Sequence, residues 1–156
     1  MKESFDDAVQ ELKRVDNLFW VSLKYTRTVD VIKHVIERLI NCIGFGLEAL
    51  LKYAKEKKLV ASIPTNAGLR CDLLKKIFPD NLELRDYINF YLRLRKLSKA
   101  EYTRREEFRR HVTMIATIDK GEIVEVTIDS LKEDYEKTRN FISFVKRTIN
   151  EEKEEA

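Results

Sequence analysis

Apolar residues recur along this chain with two different periods, and the change of period divides it into a helical body and a short β segment. Phe5, Ala8, Val9, Leu12, Val15 and Phe19 are spaced by three and four, the stripe of an amphipathic helix predicted to start near Ser4 as N-cap. The pattern fits an end at Asp16 and equally a run on through Leu23. A second stripe is longer: Val29, Ile32, Ile36, Leu39, Ile40, Ile43, Leu47, Leu50, Leu51 and Ala54 hold one helical face for about seven turns. Pro64, Asn66 and Gly68 then mark a loop, a short helix follows around Leu69 to Ile77, and Pro79 ends it. Leu84, Tyr87, Ile88, Tyr91 and Leu94 begin another stripe, which the spacing carries through Arg95 and Ser98 to Tyr102.

From residue 112 the period falls to two. Val112, Met114, Ala116 and Ile118 alternate with Thr113, Ile115 and Thr117, Asp119-Lys120-Gly121 reads as a turn, and Ile123 to Ile128 alternates again. This predicts a β-hairpin over about 112–128. Ser130 with Glu133 has the S-x-x-E form of a capping box, and Leu131, Tyr135, Thr138, Ile142, Val145 and Ile149 stripe a last helix. The expected architecture is mainly α: an antiparallel up-and-down helical bundle of about four helices, with a β-hairpin inserted before the last helix and protruding from one end. One domain over 1–150 and a disordered acidic tail at 151–156 complete it. A lone hairpin is barely stable in water, so this one has to lean on the bundle or on a partner, which makes a homodimer an expectation.

Composition narrows the functional classes. Charged residues form 37% of the chain while glycine and proline together number six, which suits long solvated helices rather than a loop-rich β fold. The formal charge of +3 does not by itself announce a nucleic-acid partner. Cys42 and Cys71 stand alone, without metal-ligand spacing, and read as ordinary thiols in a reducing compartment. No metal site and no cofactor are expected. The N-terminus is charged from its second residue, and no run approaches the roughly 18 apolar residues of a membrane span, so a cytoplasmic protein without membrane contact is expected.

Local clustering is more informative than the total. Between Arg93 and His111 eight basic residues (Arg93, Arg95, Lys96, Lys99, Arg104, Arg105, Arg109, Arg110) face only Glu101, Glu106 and Glu107, with Tyr91 and Tyr102 beside them. Such a patch suits phosphates and single-stranded RNA through guanidinium forks and tyrosine faces. The plainer reading is that the arginines solvate a helix and pair with those glutamates at three and four spacing. Arg95 sits on the apolar stripe, where it either meets a buried partner or extends its head to water. His34 reads as a surface histidine. Gly44 and Gly46, inside an otherwise strong helix, mark a kink or a close helix crossing, since each costs about 1 kcal/mol relative to alanine.

The order of these elements, the helix ending LEALLKYAKEK, the loop into DLLKKIFPD and the helix ending YLRLRKLSKAEYTR together resemble the HEPN class of small helical bundles over about residues 30 to 145. Leu94-Arg95-Lys96-Leu97 and Glu101-Tyr102 match its degenerate motif. The resemblance implies one of two functions. Some members are ribonucleases whose working pair is an arginine and a histidine separated by four to six residues, a spacing that Arg104 or Arg105 with His111 satisfies. Others lack the pair and act as binding modules, often beside a nucleotidyltransferase-type partner protein. Arg104 and His111 share a face on a continuous helix, whereas Arg105 and His111 do not. A strand from Val112 puts His111 at a helix-to-strand junction, while the family motif lies at a helix start. The sequence therefore favours a non-catalytic module binding a partner protein, a nucleotide or RNA through Tyr91, Arg95, Lys99, Tyr102, Arg109 and Arg110. A metal-independent ribonuclease using Arg104 or Arg105 with His111 is the alternative, and a purely structural oligomer is the third.

Overall fold

The computed structural model describes residues 1–155, with side chains as far as residue 150. The acidic tail expected at 151–156 thus lies outside the residues described in full. The longest apolar stripe became the centre of the molecule. Helix α2, Val29–Glu56, starts where Thr28 turns extended and its hydroxyl accepts the Val31 N–H at 3.3 Å. Ile32, Leu39, Ile43, Leu50 and Leu51 on it are buried, and so are Val35, Cys42 and Ala49, which lie off the narrow stripe read from the sequence.

Helix α1, Lys2–Asn17, covers one side of α2. Ser4 is not its cap: the helix already starts at Lys2, and Ser4 is buried, its hydroxyl accepting from Lys52 Nζ at 2.8 Å. Ser4 meets Lys52, the Ala8 carbonyl accepts from Cys42 Sγ at 3.2 Å, and Glu11 accepts from Arg38 at 3.3 Å, so the two helices run antiparallel. Glu11 is buried between Arg14 and Arg38, which supply the opposite charge that a desolvated carboxylate requires. Instead of ending at Asp16, α1 widens into one π-helical turn, Leu18–Ser22, and finishes in a last turn, Leu23–Tyr25.

Two asparagines start the next pair of helices. Asn66 accepts from Leu69 N at 3.0 Å at the head of α3, Ala67–Ile77, and Asn81 accepts from Leu84 N at 2.9 Å at the head of α4, Leu82–Lys99. Helix α5, Ile128–Glu155, opens on a reciprocal pair in which Thr127 N donates to Ser130 Oγ at 2.9 Å and Ser130 N to Thr127 Oγ1 at 3.1 Å. The expected box of Ser130 with Glu133 is therefore displaced by one turn, because Thr127, ending a strand, is already extended and takes the capping role. Asp86–Lys137 at 2.9 Å and Glu83–Arg147 at 3.4 Å align α4 and α5 antiparallel, with Tyr87 against Phe141 and Phe144 between them.

The β segment holds the main corrections. It is a three-stranded antiparallel sheet in the order β1-β2-β3, with β1 Glu101–Arg105, β2 Thr113–Ile118 and β3 Glu122–Thr127. The expected hairpin is β2–β3, and five helices rather than about four surround the core among the described residues. The helix predicted to reach Tyr102 stops at Lys99, where Ala100 turns extended at φ −73°, ψ 152°. Continuing the helix would leave the outer edge of β2 unpaired. Glu101 to Arg105 supplies that edge instead, with Tyr102 opposite Ala116 and Arg104 opposite Met114. The hairpin does not protrude, since Val112, Met114, Ala116, Ile118 and Val126 are buried in the common core. No helix among the described residues is long and apolar enough to cross a membrane.

The two α2 glycines differ. A Cβ at Gly46 would lie 2.6 Å from Phe141 Cε2, deep in the core, whereas one at Gly44 would meet Tyr91 Oη at an ordinary 3.6 Å. Gly46→Ala is expected to destabilise by about 1–3 kcal/mol, with partial recovery when Phe141→Leu is added, while Gly44→Ala gains up to about 1 kcal/mol. Urea denaturation of the four proteins checks both.

Asp134 gives a pH signature. Burial, and Glu133 after it, push its carboxyl up to about 6, with Lys137 and Arg93 pulling it back. A carboxyl that binds its proton more tightly in the folded state than in the unfolded one costs stability as pH rises from about 4 through 6. Asp134→Asn is expected to stabilise on the order of 1–2 kcal/mol at pH 8 and to change little at pH 3.5, read from denaturation curves at the two pH values.

Candidate functional site

The arginine-rich stretch RREEFRRH begins in β1 and turns through a loop that ends just before β2. Glu106 and Phe108 at φ 55° and 67° make the turn. The loop is pinned to the start of α2: Phe108 N donates to the Arg27 carbonyl at 2.7 Å, and Glu107 Oε2 accepts the Val29 N–H at 3.2 Å. A helix N-terminus carries unsatisfied N–H groups and partial positive charge, so Glu107 caps it as an acceptor and as an anion. Arg104 bridges Glu107 and Asp30, at 3.0 Å to each, and the hydrogen bonds to Asp30 and then Glu107 hold its guanidinium charge still more firmly. Arg105 pairs with Glu125 at 2.9 Å, which raises it in the same way.

This arrangement decides the geometry of the expected arginine–histidine pair. No continuous helix joins the two residues, so the shared-face argument for Arg104 and His111 fails. Both candidate arginines are engaged by carboxylates, while His111 is exposed, its carbonyl accepting from Thr113 Oγ1 at 2.8 Å and its ring without a partner among the described residues. Arg93 and Lys96 meet Glu122 at 3.3 Å and Asp119 at 2.7 Å, tying α4 to the β2–β3 hairpin. Part of the basic cluster is therefore paired, though not with Glu101 or Glu106 at helical spacing; only Arg104–Glu107 keeps a short separation. Lys99, Arg109 and Arg110 are exposed, without ion pairs among the described residues.

Tyr91 and Arg95 lie elsewhere. They line a half-open cavity of about 240 Å³ between α2 and α4, closed by the residues leading into α3, with Asn41, Gly44, Glu48, Thr65 and Arg70 on its walls. Arg95 Nη1 donates to Tyr91 Oη at 3.5 Å, and its guanidinium stands 5.7 Å over the tyrosine ring. Arg70 Nε donates to the Pro64 carbonyl at 2.6 Å. Neither guanidinium has a carboxylate partner among the described residues, and Glu48, the acidic residue of the lining, meets Lys52 at 3.5 Å. Tyr102, expected to border this groove, packs instead near Lys33 at 4.6 Å and Arg104 at 5.5 Å, at the start of α2.

Arg70 escaped the sequence reading, because a single arginine after a loop carries no periodic signal. Asn66 as N-cap was the usable clue: it sets α3 to begin at Ala67 and puts Arg70 in the first turn, next to the loop. The thiols are poor nucleophiles. Burial and then Glu11 push Cys42 up to about 12, and burial pushes Cys71 up to about 11 against the pull of Lys75 and Arg95. No three His, Cys, Asp or Glu residues cluster as metal ligands among the described residues.

Glu107→Ala is expected to destabilise by about 1–2 kcal/mol through the lost cap, whereas His111→Ala stays within about 0.5 kcal/mol, as urea denaturation would show. Comparison with family models, with curated proteins and with solved structures finds no match for this chain.

Proposed function

We propose that this chain is a HEPN-like, non-catalytic helical module that binds a phosphate-bearing ligand, a nucleotide or single-stranded RNA, in the groove between α2 and α4. One observation carries the reading: Arg70 and Arg95, neither held by a carboxylate among the described residues, line one cavity together with the ring and hydroxyl of Tyr91. A planar guanidinium donates two parallel hydrogen bonds to a phosphate, and a tyrosine hydroxyl beside it adds a further hydrogen-bonding group. The volume of about 240 Å³ falls below the roughly 300–1,000 Å³ of pockets that enclose a whole drug-sized ligand, so the groove is suited to grip one phosphorylated unit at a time. The motif residues on which the HEPN resemblance rests, Leu94 to Leu97, include Arg95 of this cavity. The ribonuclease reading has less support, because a phosphate-holding arginine has to be available and Arg104 and Arg105 are both engaged.

Anisotropy of a labelled oligouridylate at 50 mM salt tests the proposal. Binding that weakens with added salt is expected, with Arg70→Ala and Arg95→Ala each losing about tenfold, or 1.4 kcal/mol, and Arg93→Ala much less. Absence of binding, or a double variant that binds like the parent, would sink it.

A further inference from the structure

A second concave surface lies at the far end of α1, and it has a different character. The π-helical turn Leu18–Ser22 sets the surrounding side chains in opposite directions. Phe19 packs inward, edge-on to Tyr135 at 5.6 Å, while Trp20 is 71% exposed, Val21 50% and Tyr25 77%. Between this turn and the start of α5 runs a groove of about 520 Å³ whose apolar lining is Phe19, Trp20, Leu23, Ile128 and Tyr135. Lys24, Arg27, Lys132 and Arg139 stand around it. The first three have no carboxylate partner among the described residues, and Arg139 meets the exposed Glu136 only at 3.8 Å. Through its hydrogen bond to the Arg27 carbonyl, the loop carrying Phe108, itself 76% exposed, with Arg109 and Arg110 extends the same surface.

We propose that this groove docks an acidic amphipathic helix of a partner protein, its apolar residues on the groove floor and its carboxylates against the four cations. Exposed aromatic and aliphatic residues rimmed by charge are the usual form of an interaction site, and a helix laid in an apolar groove is a common way to fill one. The cations decide the sign of the partner. A second copy of this chain presenting the same face brings cations against cations. A single-stranded nucleic acid matches the cations but not the floor. Asp16 Oδ1, on the groove wall, accepts from Trp20 Nε1 at 3.0 Å and Tyr135 Oη at 3.2 Å. Those two ring donors are thus already satisfied by a carboxylate, and a phosphodiester strand, charged at every unit, has to pass beside it. A helix keeps its carboxylates on one side and presents only apolar side chains to that part of the floor.

Trp20 is the single tryptophan of the chain, so its fluorescence reports on this groove alone. The full chain is titrated with a 16-residue helical peptide bearing leucine and phenylalanine at helical spacing and glutamate elsewhere, with a scrambled peptide of the same composition, and with an oligouridylate. The amphipathic peptide is expected to move the emission to shorter wavelength and to saturate. Combining Lys24→Glu with Lys132→Glu should weaken it at least about tenfold, while circular dichroism shows the fold retained. Arg70→Ala and Arg95→Ala should leave this signal unchanged, which separates it from the α2–α4 groove. An equal response to the scrambled peptide, a response to the oligouridylate alone, unchanged affinity in the double charge reversal, or no response to any probe overturns the proposal.

Discussion

Burial of α2 is the constraint on which the rest of the molecule depends. Its buried residues extend beyond a single stripe, so it has to be covered by α1, α4, α5 and β2 together, each of which contributes to the same core. Two details show how tightly that cover fits. Gly46 lets Phe141 approach to a distance that no side chain on α2 would permit, and Glu11 enters the α1–α2 contact only because Arg14 and Arg38 neutralise it. At its N-terminus Thr28 takes the Val31 N–H locally, and the Val29 N–H is left to be satisfied from elsewhere. Glu107 does so from a loop 78 residues further along the chain.

That cap changes the meaning of the arginine-rich stretch. Charge which in the sequence looks available for phosphates is used in part to hold the sheet and the helix start together: Arg104 with Glu107 and Asp30, Arg105 with Glu125, Arg93 and Lys96 with the β2–β3 hairpin. Exposed pairs of this kind each contribute little to stability. They still determine which cations are free to meet a ligand. Of the cations without a carboxylate partner among the described residues, Arg70 and Arg95 line the α2–α4 groove, and Lys24, Arg27 and Lys132 stand around the aromatic groove at the π-helical turn. The first is small and carries two guanidinium groups, suited to a phosphate. The second is larger and apolar-floored, suited to a polypeptide.

Much of the helical framework was legible because its signals are local. The three-four spacing from Val29 to Ala54, the loop at Pro64 and Asn66, and the alternation from Val112 to Ile118 each depend on neighbours a few positions away, and each element formed close to its pattern, although Gly68, read as loop, falls inside α3. Ser4, Ser130 and Glu101 to Arg105 were misread for a shared reason. Ser4 is an effective cap by type, but on α1 it faces α2 and takes Lys52 as partner. Ser130 has glutamate at the right spacing, but Thr127 is already extended by its place in β3 and caps first. Glu101 to Arg105 continues a helical stripe on paper, yet the open edge of β2 recruits it as a strand.

The candidate site divides along the same line. That Tyr91 and Arg95 share a face is a property of helical spacing alone, and the sequence by itself determined it, as it determined a mainly helical chain with one β segment. Which other residues join them was decided only by the tertiary structure: Arg70 arrives from α3, Tyr102 leaves for the start of α2, and His111 stays exposed while Arg104 and Arg105 already have partners. Periodicity reports the direction of a side chain within its own element. Which carboxylate a cation meets, or which groove it lines, depends on elements folded against each other across tens of residues, and no spacing along the chain encodes that.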